Sequence, residues 1–255
     1  MSIRDKTDIN PESIHPDPIY LDNNATTRVD PEVVAEMIPF FSEQFGNPSS
    51  IHRFGNQVGF AIKKARKQIQ RLIGAEFESE IIFTSCGSEA DSTAILSAIN
   101  AQPDRKEIIT TVVEHPAILA LCEHLETEGF IIHRLGVDHR GRVDLAEYQQ
   151  LLSSRVALVS VMWANNESGT IFPVEKMAEM ACNAGVMFHT DAVQAVGKLP
   201  IDLENSQIRM LSLSGHKLHA PKGIGVLYVK RGTRFRPFLR GGHQERGRRA
   251  GTENV

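Results

Sequence analysis

Ile81-Ile82-Phe83-Thr84-Ser85-Cys86-Gly87-Ser88-Glu89-Ala90 reads as a short buried strand that runs through small residues into the first turn of a helix. Small side chains at such a junction let backbone N–H groups approach an anion, and a helix N-terminus adds positive potential. Gly87 and Ser88 are the candidate contacts, Ser88 adding a hydroxyl donor. Taken alone, Ser88 is equally well a helix cap. The stretch is neither a Walker loop nor a G-x-G-x-x-G turn.

Outward from it, apolar runs alternate with segments of helical period. Ile108 to Val113, Val156 to Trp163, Val186 to Thr190, Met210 to Leu213 and Ile224 to Val229 read as further strands. Ala117 to Glu128 and Val174 to Asn183 read as helices between them. That alternation predicts an α/β fold with a mainly parallel sheet. Upstream, Val58, Ala61, Ile62, Ala65, Ile69, Leu72 and Ile73 recur at helical spacing between lysines and arginines. They predict a surface helix with one buried face, whose basic residues need no function. The segment from Leu21 to Gly55 is rich in Asn, Pro, Ser and Gly and predicts ordered loops.

The 255 residues are 41% hydrophobic and 23% charged, which excludes disorder, collagen and coiled coil as the dominant character. The net charge of −3 carries no nucleic-acid signal. From Lys230 to Val255, however, eight basic residues face two acidic ones, so these arginines either form a solvated tail or meet an anion or partner. Cys86, Cys122 and Cys182 are too scattered for a disulfide framework or a zinc site, which favours a reducing cytoplasm. Met1 to Pro18 is polar and proline-bearing, unlike a signal peptide, and no apolar run is long enough to span a membrane.

Two further constellations carry chemistry. In Ser212-Leu213-Ser214-Gly215-His216-Lys217, a lysine follows a buried strand, where desolvation and neighbouring charge make an amine nucleophilic. In Phe188-His189-Thr190-Asp191-Ala192-Val193-Gln194, Asp191 falls at the end of a parallel strand, the edge at which α/β proteins bind ligands. Each has a plain alternative: a surface lysine, and an N-cap for the next helix. Together with the anion cradle they match pyridoxal phosphate. Its phosphate needs the helix N-terminus, its ring nitrogen a carboxylate and its aldehyde a lysine.

At this point the chain resembles a known family. Tyr20-Leu21-Asp22-Asn23-Asn24-Ala25-Thr26-Thr27, Phe45-Gly46-Asn47-Pro48-Ser49-Ser50, Glu114-His115, Asn165-Asn166-Glu167-Ser168-Gly169-Thr170, His189 to Gln194, Ser214-Gly215-His216-Lys217 and Arg249-Ala250-Gly251-Thr252-Glu253-Asn254 are similar to the cysteine desulfurases of class V aminotransferase fold. Trp163 to Asn166 and Gly242 to Arg249 resemble the NifS type, which serves nitrogenase maturation.

The resemblance implies the pyridoxal-phosphate-dependent transferase fold (aminotransferase type I), with a mainly parallel seven-stranded sheet flanked by helices. Residues 1–20 would be an N-terminal extension and 21–255 the large cofactor-binding domain, the small C-terminal domain being largely missing. By the same resemblance, Lys217 forms an imine with the cofactor, Asp191 pairs with the ring nitrogen and Gln194 bonds the phenolic oxygen. His115 stacks on the ring and moves protons. Gly87, Ser88, Ser214 and His216 hold the phosphate, and Asn166 contacts cofactor and substrate carboxylate. Thr252, with Arg246, Arg248 and Arg249 beside it, reaches the phosphate of a second subunit. No metal ligand is implied.

The implied activity is removal of sulfur from L-cysteine to give L-alanine and an enzyme persulfide. A homodimer and an iron–sulfur scaffold protein as sulfur acceptor are the implied partners, with no nucleic acid or membrane. The family's nucleophilic cysteine and its carboxylate-gripping arginine lie beyond Val255, and none of the three cysteines occupies that position. A selenocysteine lyase, an aminotransferase or a non-catalytic fragment are the alternatives.

Overall fold

The computed structural model describes residues 19–255. The reading of Met1 to Pro18 lies outside the described residues, as does most of the 1–20 extension. The strands are β1 (Ile81–Thr84), β2 (Glu107–Thr111), β3 (Ile131–Leu135), β4 (Val156–Ser160), β5 (Met187–Asp191), β6 (Met210–Ser214) and β7 (Gly225–Val229). The helices are α1 (Pro31–Ser42), α2 (Arg53–Leu72), α3 (Gly87–Asn100), α4 (Pro116–Thr127), α5 (Leu145–Leu151) and α6 (Val174–Asn183).

The strands form one sheet in the order β1-β7-β6-β5-β4-β2-β3. Only β7 runs against its neighbours β1 and β6, and the remaining pairs are parallel. The predicted α/β class and mainly parallel sheet are therefore observed. Strand Val156 to Trp163 ends earlier than expected, at Ser160, after which the chain turns over the sheet edge. The seventh strand, β3, had no counterpart in the periodicity.

Helices cover both faces, so the central strands are buried on each side and read as near-continuous apolar runs. Alternate residues feed two separate cores. On β7, Val226 and Tyr228 belong to the core on the face that α5 and α6 cover, while Leu227 and Val229 belong to the core on the face that α3 and α4 cover. Tyr148 of α5 is fully buried and its hydroxyl donates to the Met177 carbonyl at 2.9 Å, tying α5 to α6. Among the described residues no helix is long and apolar enough to cross a membrane.

The basic face of α2 is not wholly solvated. Arg66 is buried, and its guanidinium makes a bidentate pair with Glu245 at 2.8 Å on both arms while also donating to the Ile81 carbonyl. Glu245 in turn accepts from the Phe83 N–H. The periodicity of α2 could not reveal this, because the partner lies 179 residues away. The pair satisfies backbone groups of the edge strand β1 that a further strand could otherwise use.

Candidate active site

β1, β2, β4, β5 and β6 all end at one edge of the sheet, and the loops beyond those ends enclose a cavity of about 630 Å³. Gly87, Ser88, His115, Asn166, Asp191, Gln194, Ser214, His216 and Lys217 all line it. Thr252 does not; it is exposed, outside the cavity.

The N-terminus of α3 opens onto this cavity with Cys86 as its cap residue, not Ser88, and no side chain caps it. The first-turn N–H groups are therefore free to receive an anion. The close fit behind them depends on missing side chains. A Cβ on Gly225 would lie 2.4 Å from the Cys86 carbonyl carbon, and one on Gly87 would lie 3.2 Å from Val193 Cγ2. Glu89, in the same turn, accepts from the Ser85 N–H and from Arg249 Nε, both at 2.8 Å. Burial raises its pKa, but Arg249 and Ser85 outweigh that and hold it below the ordinary value.

The arginines placed beside Thr252 thus serve this chain. Arg249 binds Glu89, and Arg246 and Arg248 donate to the carbonyls of Ser79 and Ile81. The cause is geometric: Gln244–Gly247 folds back over the start of β1, where backbone acceptors stand open.

Asp191 is buried at the end of β5, and one oxygen accepts from the Val193 N–H at 2.9 Å. Burial pushes its carboxyl up, while the Val193 N–H, His115 and Lys217 pull it down. It is both a turn cap and a cavity residue, so the two readings of Asp191 are not exclusive. Lys217 donates to the carbonyls of Asn24 and Ala25, and its amine is held below its usual pKa by burial and by the Lys198 charge. Gln194 donates to the Asn24 carbonyl at 2.9 Å and accepts from Lys198 at 2.8 Å. Asn24 reaches the Asn166 carbonyl at 3.0 Å. The polar loop at Asp22–Thr27 is therefore laid across the cavity, pinned by the Thr27 hydroxyl on the His216 carbonyl at 2.8 Å. His115 caps α4 through Nδ1, which accepts from the Ala117 N–H, so a neutral ring carries its proton on Nε2.

Two groups were given no role from the sequence. Asp91, in the second turn of α3, lines the cavity. Glu114 is fully buried, accepting from the Met162 N–H at 3.0 Å and the Thr111 hydroxyl at 2.7 Å. Nothing in local sequence distinguishes a buried carboxylate from an exposed one. Burial dominates at Glu114 and pushes it up to about 8.

A carboxyl whose folded pKa is raised contributes stability that is present below its unfolded value and lost as pH rises through the folded value. His189, buried and pushed down to about 3, works the opposite way but only below about 6.5. Between about pH 6.5 and 8, Glu114→Gln is therefore expected to remove a loss of up to about 1.4 kcal/mol per pH unit. Urea unfolding across that window checks it. Equal slopes for both proteins contradict the burial argument.

Residues 19–255 match the family model for aminotransferase class V. The chain belongs to the class V aminotransferase family. It is 72% identical over 237 residues to a cysteine desulfurase NifS of Azotobacter vinelandii, covering 93% of this chain and 59% of that relative. It is 65% identical to a cysteine desulfurase of Gluconacetobacter diazotrophicus, covering 93% and 60%. Among solved structures, a NifS-like protein superimposes with a TM-score of 0.89 at 42% identity, covering 92% of this chain and 65% of the other. SspA in complex with cysteine gives 0.87 at 37% identity, covering 92% and 68%. The chain thus spans about three fifths of the curated relatives' length.

Class V aminotransferases of this kind use pyridoxal 5′-phosphate. The cavity fits that group on its own terms. It offers an uncapped helix N-terminus for a dianion, a buried carboxyl for a heteroaromatic N–H and a lysine amine of lowered pKa. Among the described residues no cluster of His, Cys, Asp and Glu could hold a metal ion.

Proposed function

We propose that this chain is the cofactor-binding part of a cysteine desulfurase of the NifS type. The whole protein removes sulfur from L-cysteine to give L-alanine and an enzyme persulfide for iron–sulfur cluster assembly in nitrogenase maturation. The observation that carries this reading is the convergence of Lys217, Asp191 and the uncapped start of α3 on one cavity, in a chain 72% identical to a named NifS. A solved relative that holds cysteine supports the substrate class.

When bound, pyridoxal phosphate supplies an aldehyde for imine formation and a ring that accepts electrons from the substrate's α carbon. Gly87, Ser88, Ser214 and His216 hold its phosphate. Asp191 keeps a proton on the ring nitrogen. Gln194 would offer its amide to the phenolic oxygen, and Lys217 would supply the amine for the aldehyde. His115 would cover the ring, with its proton at Nε2. Asn166 stands at the carboxylate end of the substrate. Residues 21–255 act as the large domain of a homodimer in which Thr252 reaches the second copy's phosphate, and a scaffold protein accepts the sulfur.

None of the chain's own cysteines suits the sulfur-accepting role. Cys122 is buried and its thiol is pushed up to about 11, largely by burial. Cys182 lies on α6 outside the cavity and donates to Gln207. Cys86 sits at the phosphate end. With L-cysteine, the whole protein is expected to form alanine matched by protein-bound persulfide, whereas residues 1–255 alone give no more than free pyridoxal phosphate. Assaying alanine, sulfide and keto acid checks both. Amino transfer to a keto acid would replace the proposal with an aminotransferase, and turnover by the 255 residues would bring Cys86 forward as nucleophile.

A further inference from the structure

Asp91 is 1% exposed, and its Oδ1 is buried without a hydrogen-bond partner in the wall of the cavity. The neighbouring ring nitrogen, His189 Nε2, is 3.7 Å away. That imidazole cannot supply a cation. It lies fully buried between the hydroxyls of Ser160 and Ser212, each at 2.9 Å, and burial keeps it neutral. The titratable groups that bear most on Asp91 are Asp191 and His189 from β5, Glu114 from the turn after β2 and Cys86 from the turn before α3, while His115 and Lys217 stand elsewhere in the same cavity lining. None of those nearest groups brings a positive charge, and among them the Ser212 hydroxyl favours ionisation.

Two carboxyls therefore share one wall, and both cannot carry charge cheaply. Asp191 has a backbone N–H on one oxygen, while Asp91 has an orphaned oxygen. Asp191 is the better carboxylate and Asp91 the better acid. The register links them: Ser212 pairs with Asp191 across β5 and β6, and His189 precedes Asp191 on the same face of β5.

We infer that Asp91 is a positioning residue of the cofactor site, an acid that keeps its proton beside His189 and Ser212 in the cavity wall, so that Asp191 alone is the anion facing the ring. The inference rests on the proposed cofactor, but its first test does not need it. Burial raises the Asp91 carboxyl well above its usual range, and the Asp191 charge adds to that.

Infrared spectra of the cofactor-free protein near neutral pH are expected to contain protonated carboxylic acid absorption, shifted in D₂O, from both Asp91 and Glu114: Glu114→Gln removes only its own component, and Asp91→Asn in that background removes the component that remains. With pyridoxal phosphate, Asp91→Asn is expected to keep the affinity and the pH profile of the visible absorbance, since the amide is neutral like the protonated acid and still offers an oxygen to the Ser212 hydroxyl. Asp91→Leu, neutral but without a hydrogen bond, is expected to weaken the cofactor about fivefold. Absence of the Asp91 band, or an Asp91→Asn protein that loses cofactor as Asp191→Ala does, overturns the inference. If the cofactor fails to bind Lys217 while the band is present, the proposed function fails and the protonation of Asp91 stands.

Discussion

Glu245→Gln is expected to destabilise the chain by about 3–5 kcal/mol, because it leaves the Arg66 guanidinium buried without its partner. The local charge makes that worse. Arg246 and Arg248 lie close by, and burial already holds both guanidinium groups below their ordinary pKa. The backbone adds to it: Glu245 and Arg246 adopt φ of 47° and 59°, a region that costs non-glycine residues on the order of 1–3 kcal/mol each and persists only where contacts impose it. The amide keeps one oxygen for the Phe83 N–H and one guanidinium arm, but turns an NH₂ donor toward the other arm. For a domain of this size the loss corresponds to a fall of roughly 10 °C in melting temperature. Arg66→Met combined with Glu245→Leu is expected to recover only part of it, since the buried charge disappears but the β1 backbone groups remain unpaired. Thermal unfolding followed by circular dichroism checks the series. A Glu245→Gln protein that melts within a degree or two of the parent contradicts the assignment of this pair as the clasp on β1.

Asp191→Ala is expected to act on the ligand and leave the fold intact. Asp191 is a buried carboxyl whose pKa burial raises, so removing it costs the cofactor-free protein little. Its loss removes a charge-assisted hydrogen bond to the ring nitrogen, on the order of 1.5–3 kcal/mol, or roughly 10–150-fold in cofactor affinity. Equilibrium titration with pyridoxal phosphate, beside a melting curve of the cofactor-free protein, separates the two effects. Unchanged affinity with unchanged stability would move the ring nitrogen elsewhere in the cavity.

The parts of this molecule that were legible in the sequence are those where local pattern and burial coincide. β1, β6 and β7 are buried on both faces, and their apolar runs marked them within a residue or so. β3 was not legible because, unlike the other edge strand β1, it is left largely uncovered. Ile131 is exposed, and His133 and Arg134 turn to the carboxylates of Glu107 and Glu126, so its sequence looks like a polar loop. At the site, Lys217, Asp191 and the Gly87–Ser88 turn stood out because each closes a strand with an unusual residue. The loop over Lys217 was read as ordered, but its contacts span some 190 residues and no periodicity encodes them. Asp91 and Glu114 stayed hidden for a related reason: whether a carboxyl is ionised depends on which strands and helices enclose it.

The central claim is that Lys217 is the amine that takes the cofactor. Incubating the protein with pyridoxal phosphate, reducing with borohydride and mapping the labelled peptide tests it directly. The account predicts a pyridoxyl group on Lys217 and none on the protein carrying Lys217→Ala. Label on Lys198 or Lys222, or label retained by the Lys217→Ala protein, would contradict it.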